Sequence, residues 1–177
     1  MEPILIALPP AAQASLRPLQ ATDAAAWSAY LNQPGVIEHT SWGDISPSAL
    51  AELIHGYAGR GDALRWAIVG ACGGLFGTVG LNDISQANGR AELAYDLDPR
   101  HTGRGLATHA ARAVIGWAHD AMDLQRIQAT VLDSNTPSIA VVERAGMHCE
   151  GLMRQYRKVR GQARDYWMYA AVRDASQ

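Results

Sequence analysis

The sequence offers little to crosslink or coordinate with. Its 177 residues include only two cysteines, Cys72 and Cys149, far apart and in no metal-ligand spacing. That excludes a disulfide framework, gives no support for a metal site, and points to a reducing, cytoplasmic compartment. Charge of one sign is not in excess either: 15 Lys+Arg against 17 Asp+Glu leave a formal charge of −2, so no global basic field draws the chain to nucleic acid or anionic lipid. Nor is there a run of about 18 uncharged apolar residues, the least a spanning helix requires, so no membrane partner is expected. The opening MEPILIALPPAAQ has acidic Glu2 where an export signal is basic, and Pro9 and Pro10 interrupt its apolar run. Residues 1–13 therefore read as an extended leader. Repeats, low-complexity tracts and interdomain linkers are also missing. With 48% hydrophobic residues, residues 14–173 read as one domain with a full core.

Apolar periodicity divides that domain into mixed elements. A strand near Ser15–Leu19 precedes a helix capped at Thr22-Asp23 and running to about Leu31. After the turn-rich segment 32–46, Ser46-Pro47 opens a second helix whose apolar face is Ala49, Leu50, Leu53, Ile54 and Tyr57. RWAIV, LFGTVGLNDI and AELAYDL, joined by short Gly-containing turns, read as an antiparallel meander. A long helix is expected from about Gly103 to Met122, with Leu106, Ala110, Val114, Trp117 and Ala121 on one face. RIQATVL gives a further strand and Thr136–Ala145 a short helix stopped by Gly146. Strands near 147–155 and 164–172 close the pattern. The expected fold is a single-domain α/β (α+β) arrangement: a twisted, mainly antiparallel sheet of six or seven strands with helices on both faces.

Arg100-His-Thr-Gly103-Arg-Gly105 stands between the third meander strand and the long helix. Glycines let the backbone approach a ligand closely, and a helix N-terminus offers free N–H groups and a positive dipole end. The motif suits a phosphate cradle. It lacks the Gly-Lys-Ser/Thr ending of a nucleoside-triphosphate loop. A dinucleotide loop fits less well, because its third glycine position is Thr108 and residues 98–102 separate the glycines from the strand, although Asp133 stands where a ribose-binding acid would.

Here the chain resembles the GNAT superfamily of N-acetyltransferases, and within it the RimJ/RimL-like branch that acetylates ribosomal-protein N-termini. Arg100, Gly103 and Gly105 match the family's Gln/Arg-x-x-Gly-x-Gly/Ala loop, and AELAYDL followed by Pro99 looks like its fourth strand. Asn135, Ser138, Glu143, Gly146, Glu150 and Gly151 fall on the branch's downstream landmarks. The resemblance spans about residues 14–173.

The resemblance implies an acetyl-CoA co-substrate with no metal. It implies as partners an amine acceptor, such as a ribosomal-protein N-terminus or a small-molecule amine, and it is compatible with a homodimer. The backbone from Arg100 through Thr102, Gly103, Arg104, Gly105, Leu106 and Ala107 to Thr108 would hold the pyrophosphate. Leu97 and Asp98 belong to the splayed strand end, 95–98, that would pair with the pantetheine arm, and Asn135 would hydrogen-bond that arm. Arg100 and Arg104 are further candidates to neutralise phosphate. Glu92 stands where histone-acetylating members carry their base. An alkyl amine, with a pKa of about 10.4, needs a base more than an α-amine at about 7.7–8.0. From the residues alone, Glu92 is equally a strand carboxylate facing solvent or pairing with Arg90. Ser138 is the available hydroxyl for the departing thiolate, since TPSIAVVERAG contains no tyrosine. His39, Trp42 and Asp44 would form one wall of the acceptor groove, an aromatic beside a carboxylate suiting a cation. The basic run Arg154–Arg164 reads as a solvated hairpin face or as a recognition patch. An acyl-CoA sensor and an NAD-binding oxidoreductase are the alternatives.

Overall fold

The computed structural model describes residues 6–40, 42–59 and 61–173. Among them, β1 (Ala14–Pro18), β2 (Leu64–Gly70), β3 (Leu75–Ser85), β4 (Arg90–Leu97), β5 (Arg126–Leu132), β6 (His148–Val159) and β7 (Gln162–Val172) form one sheet. The strand order is β1-β2-β3-β4-β5-β7-β6. Adjacent strands run antiparallel except β4 and β5, which are parallel. Helices α1 (Ala24–Leu31), α2 (Pro47–Gly59), α3 (Leu106–Ala121) and α4 (Thr136–Arg144) complete the set.

Strand alternation sends the core to both faces. In β2, Trp66 and Ile68 join the cluster that α3 covers with Leu106, Ala110, Val114 and Ala118, while Ala67 and Val69 join the one that α1 and α2 cover with Trp27, Leu31, Leu50 and Ile54. A strand buried on both sides reads as the continuous apolar run seen in its sequence.

Three expected boundaries differ. The long helix begins at Leu106 rather than Gly103, because Gly103 (φ +77°) and Gly105 (φ +72°) are left-handed and cannot lie inside a right-handed helix. The last two strands are longer than their composition suggests. Arg160 (φ +49°) and Gly161 (φ +80°) make a two-residue turn with both central residues left-handed, which lets pairing continue through the basic run to Val159↔Gln162. Of the expected leader, residues 1–5 lie outside the described residues. Ile6 is buried in the α3-side cluster, with Leu8 and Ala12 packed against it.

A buried polar hub joins α1 to three strands. Asp96 Oδ1 accepts from Trp27 Nε1 at 3.1 Å and from the Tyr30 hydroxyl. Its Oδ2 accepts from Arg65 Nη2 at 2.5 Å and from Thr78 Oγ1 at 2.9 Å. Arg65 also donates to Thr78 Oγ1 through Nε and Nη2. Burial first, then the Asp96 charge, pushes the Tyr30 phenol well above its usual pKa, so it remains a neutral donor.

Asp96→Asn removes the charge that compensates an Arg65 side chain only 3% exposed. It is expected to lower unfolding free energy by about 3–5 kcal/mol in denaturant titration. The same experiment on Arg126→Gln, which breaks the part-exposed Arg126–Glu150 pair, is expected to show a loss of about 0–1 kcal/mol.

Candidate active site

β4 and β5 pair only at Arg90↔Arg126, Ala91↔Ile127 and Glu92↔Gln128. Beyond Glu92, β4 stays bonded to β3 as far as Leu97, and β5 stays bonded to β7 as far as Leu132. The two strands therefore diverge while each keeps its outer partner, and among the described residues the edge of β4 from Leu93 to Leu97 is left without a strand on that side.

One cavity, of about 600 Å³, lies against this edge and the start of α3. Leu97, Thr102, Gly103, Gly105, Leu106, Ala107 and Thr108 line it, with Pro137 and Val141 from α4 opposite. The first turn of α3 contributes backbone N–H groups that have no partner within the helix, at the positive end of its dipole. The loop ahead of it is held by Asp98, which is 1% exposed. Its carboxylate accepts from the Arg100 backbone N–H and from Arg100 Nε and Nη2. The side-chain hydrogen bond from Arg100 outweighs desolvation and holds the Asp98 carboxyl below its usual pKa.

A second cavity, of about 510 Å³, opens on the α1–α2 side. Trp42, Tyr57, Asn82, Asp83, Glu92 and Arg157 are among its walls. Glu92 is buried, and its Oε1 accepts from Thr130 Oγ1 at 2.7 Å and from Arg157 Nη2 at 3.2 Å. Among the described residues its Oε2 has no partner. The Arg157 guanidinium lies over Tyr156 (5.0 Å) and Tyr166 (5.8 Å), which fix it above Glu92. Asp83 sits at an irregularity of the β3–β4 register with φ +48°, and its carboxylate has no partner among the described residues. Bulges next to sites commonly re-aim a side chain in this way.

The two cavities meet at His39, Thr40, Tyr95, Asp96, Asn135 and Ser138, which line both. Asn135 caps α4, its Oδ1 accepting from the Ser138 N–H at 3.2 Å, and its amide N–H₂ has no partner among the described residues. The Ser138 Oγ lies 2.7 Å from the Tyr95 hydroxyl.

The structure thus brings Glu92, Ser138, Asn135, His39 and Trp42 together with the α3 turn, but not every expected site residue. Asp44 lines neither cavity: its exposed carboxylate accepts from the Ser46 N–H at 2.8 Å, forming the turn that starts α2. The Asp98 and Arg100 side chains spend their hydrogen bonds on each other and lie outside the lining, as does exposed Arg104. Glu92 pairs with Arg157 rather than Arg90. His101 stacks on Phe76 at 3.7 Å, outside both cavities. Sequence reasoning missed Tyr95 as a hydroxyl, Asp83, Asp96 and Thr130. Glu92 and Asp96 are four apart in one strand and so share a face, and two carboxylates on a buried face were a usable signal.

Residues 14–148 match the family described as "Acetyltransferase (GNAT) domain". The chain is 34% identical over 164 residues to the uncharacterized N-acetyltransferase p20 of Bacillus licheniformis, covering 90% of this chain and 92% of that protein. It is 26% identical to the spermidine N(1)-acetyltransferase of Escherichia coli (strain K12), covering 89% of this chain and 85% of that protein. The solved structure of Mycobacterium smegmatis RimJ in complex with CoA-disulfide superimposes with a TM-score of 0.85 at 28% identity, covering 99% of this chain and 89% of that one.

The loop glycines are tested by thermal unfolding. An added Cβ meets nothing within 4 Å at Gly103 and only the His109 ring, at 3.7 Å, at Gly105. Alanine at either site is therefore expected to cost about 1–2 kcal/mol through left-handed backbone alone. Gly116→Ala, inside α3 and also with nothing within 4 Å, is expected to stabilise by about 0.5–1 kcal/mol.

Proposed function

The chain belongs to the acetyltransferase (GNAT) family, and from that premise we propose that it carries an acetyl group from acetyl-CoA to a cationic primary amine by direct attack in a ternary complex. The acceptor is a protein N-terminal α-amine, as in the ribosomal-protein branch, or a small-molecule amine. The observation that carries this reading is the shared wall of the two cavities, where a thioester from one side and an amine from the other come within reach of the same side chains.

In this reading the pyrophosphate lies on the backbone of Thr102–Thr108, and the pantetheine arm takes the vacant place beside β4, pairing as a strand would. The coenzyme A held by the RimJ neighbour supports this use of the cavity. Glu92 Oε2 receives the proton that the acceptor ammonium loses so that the neutral amine can attack the thioester carbon, and Ser138 meets the sulfur as the C–S bond breaks. The lining of the second cavity includes the acids Asp83, Glu92 and Asp96 against the bases Arg65 and Arg157. Arg65 and Arg157 pair with Asp96 and Glu92, which leaves Asp83 as the uncompensated charge and favours a cation. The spermidine acetyltransferase among the relatives supports an amine of that kind. Two exposed free cysteines fit a reducing, cytoplasmic setting.

The alternatives gain no observation. A dinucleotide oxidoreductase of the expected type needs a parallel doubly wound sheet, and this sheet is antiparallel apart from one pair. An acyl-CoA sensor has no use for a second cavity opening onto the thioester position. Calorimetry with acetyl-CoA, followed by thiol release across a panel of amines that includes N-terminal peptides and polyamines, tests the reading. Binding without release to any amine contradicts it.

Two variants address the proposed roles. Glu92→Gln is expected to lower kcat/KM by about 10²–10⁴-fold and to move the acid limb of the pH profile upward, since deprotonation then rests on the amine's own ionisation. Asp83→Asn is expected to raise KM for a cationic acceptor by about five- to tenfold with acetyl-CoA affinity unchanged. Asp44→Asn, at the start of α2, is expected to leave that KM where it is.

A further inference from the structure

Tyr95 carries a hydroxyl to the meeting point of the two cavities, and none of the steps above employs it. It projects from β4 to α4, where its oxygen lies 2.7 Å from Ser138 Oγ and 3.1 Å from the Ser138 carbonyl oxygen. These two contacts join the divergent edge of β4 to the first turn of α4, the two walls between which the thioester would lie. From this geometry we infer that Tyr95 is the positioning residue for Ser138: it donates its phenolic hydrogen to Ser138 Oγ and so turns the serine hydroxyl hydrogen toward the departing sulfur. The inference rests on the functional reading above, in which Ser138 faces the thioester.

A phenol has one hydrogen and a serine hydroxyl has one. With the phenol hydrogen on the Ser138 carbonyl, the serine hydrogen points at Tyr95 and away from the cavity. With the phenol hydrogen on Ser138 Oγ, the serine hydrogen is free to point into the cavity. Negative charge on sulfur selects the second arrangement, because the chain from Tyr95 through Ser138 to sulfur then runs donor to acceptor throughout and each bond polarises the next. The C–S bond breaks with its electron pair going to sulfur, and both hydroxyls keep their protons. The free thiolate takes its proton from solvent after release, as a thiol of pKa about 8.5 readily does.

Two further observations suit this role. Burial raises the Tyr95 phenol to about 12 against the opposing hydrogen bond with Ser138, so it is a neutral donor across the working range. The Ser138 backbone N–H is already held by Asn135 Oδ1, which fixes the first turn of α4 and leaves Tyr95 to set the hydroxyl rotor. The other titratable groups at the meeting point are His39 and Asp96, and Asp96 is occupied on both oxygens.

The test follows the thiol of bound coenzyme A as pH is varied, through the thiolate ultraviolet difference spectrum between coenzyme-bound and free protein, which cancels the exposed Cys72 and Cys149, in the intact protein and in Tyr95→Phe, Ser138→Ala and the double variant. This readout needs no acceptor amine. Tyr95→Phe is expected to raise the bound thiol pKa by about half to one unit, which corresponds to roughly a three- to tenfold loss of thiolate stabilisation. Ser138→Ala is expected to raise it at least as far, and the double variant no further than Ser138→Ala alone. In turnover, kcat falls by a similar factor and KM for acetyl-CoA is unchanged. Circular dichroism checks folding; if Tyr95→Phe does not fold, 3-fluorotyrosine placed at position 95, a stronger donor of the same shape, is expected to lower the bound thiol pKa, and an unchanged value overturns the assignment. A bound thiol indifferent to Tyr95→Phe, or shifts that add in the double variant, overturns the assignment. A wild-type protein that binds no coenzyme A overturns the functional reading along with it.

Discussion

Everything at the candidate site depends on β4 and β5 parting after three residue pairs. Parting two strands inside a sheet is costly, because each exposes a row of N–H and C=O groups. The structure bears it because each strand keeps its outer partner, β3 for β4 and β7 for β5, to the end of its length. What remains is one unpaired edge per strand, facing a cavity. A sheet opened in this way offers an extended ligand the hydrogen-bonding place of a missing strand, and the chain needs no dedicated side chain for the purpose.

An opened strand also has to be held at its free end, and the Asp96 hub does so. Four donors from α1, β2 and β3 converge on one carboxylate near the end of β4. A buried ion pair is weak evidence for net stability, since desolvation consumes much of its attraction. Its geometric effect is definite: four directional bonds fix where β4 ends, and hence where Leu97 leads into the loop held by Asp98. The two aspartates act in series, the first placing the strand and the second, by closing on Arg100, placing the glycine turn before α3. Linkage gives the second a pH range. Its folded pKa is below the usual value of 3.8, so its contribution is complete above that value and is lost as pH falls through the lower folded pKa.

Local chemistry made the elements legible, and long-range contacts made the rest opaque. Apolar runs joined by short glycine-containing turns in the meander, period-four apolar steps in α3 and the glycines ahead of it are short-range signals, and the sheet and the glycine loop follow from them. The partners of Asp96 are not local: Trp27 is 69 residues away along the chain. Nothing near Glu92 indicates that Arg157, in a basic run resembling a solvated hairpin, turns inward between two tyrosines to meet it. Asp44 shows the opposite error. A carboxylate two residues before Ser46-Pro47 is a turn signal at a helix start, and the hydrogen bond it accepts from Ser46 shows it used there.

The arrangement also bears on the proposal that the acceptor amine itself is the nucleophile. The cavity at the start of α3 is walled by α3 and α4, the other by residues of α2 and the loop before it, and the two belong largely to opposite faces of the sheet. The opening between β4 and β5 joins them, so two ligands entering from opposite faces, as proposed above, would meet end to end without either leaving its cavity. A covalent acetyl-enzyme is useful when donor and acceptor must occupy one place in turn; in the proposed reading they occupy different places at once. Cys72 and Cys149, the residues chemically suited to carry an acetyl group, are exposed and line neither cavity. Holding both reactants together turns a bimolecular encounter into an oriented one, worth up to roughly 7–11 kcal/mol when the geometry is right. In that reading, an opened sheet with one ligand on each side supplies by position much of what a covalent relay would otherwise supply by chemistry.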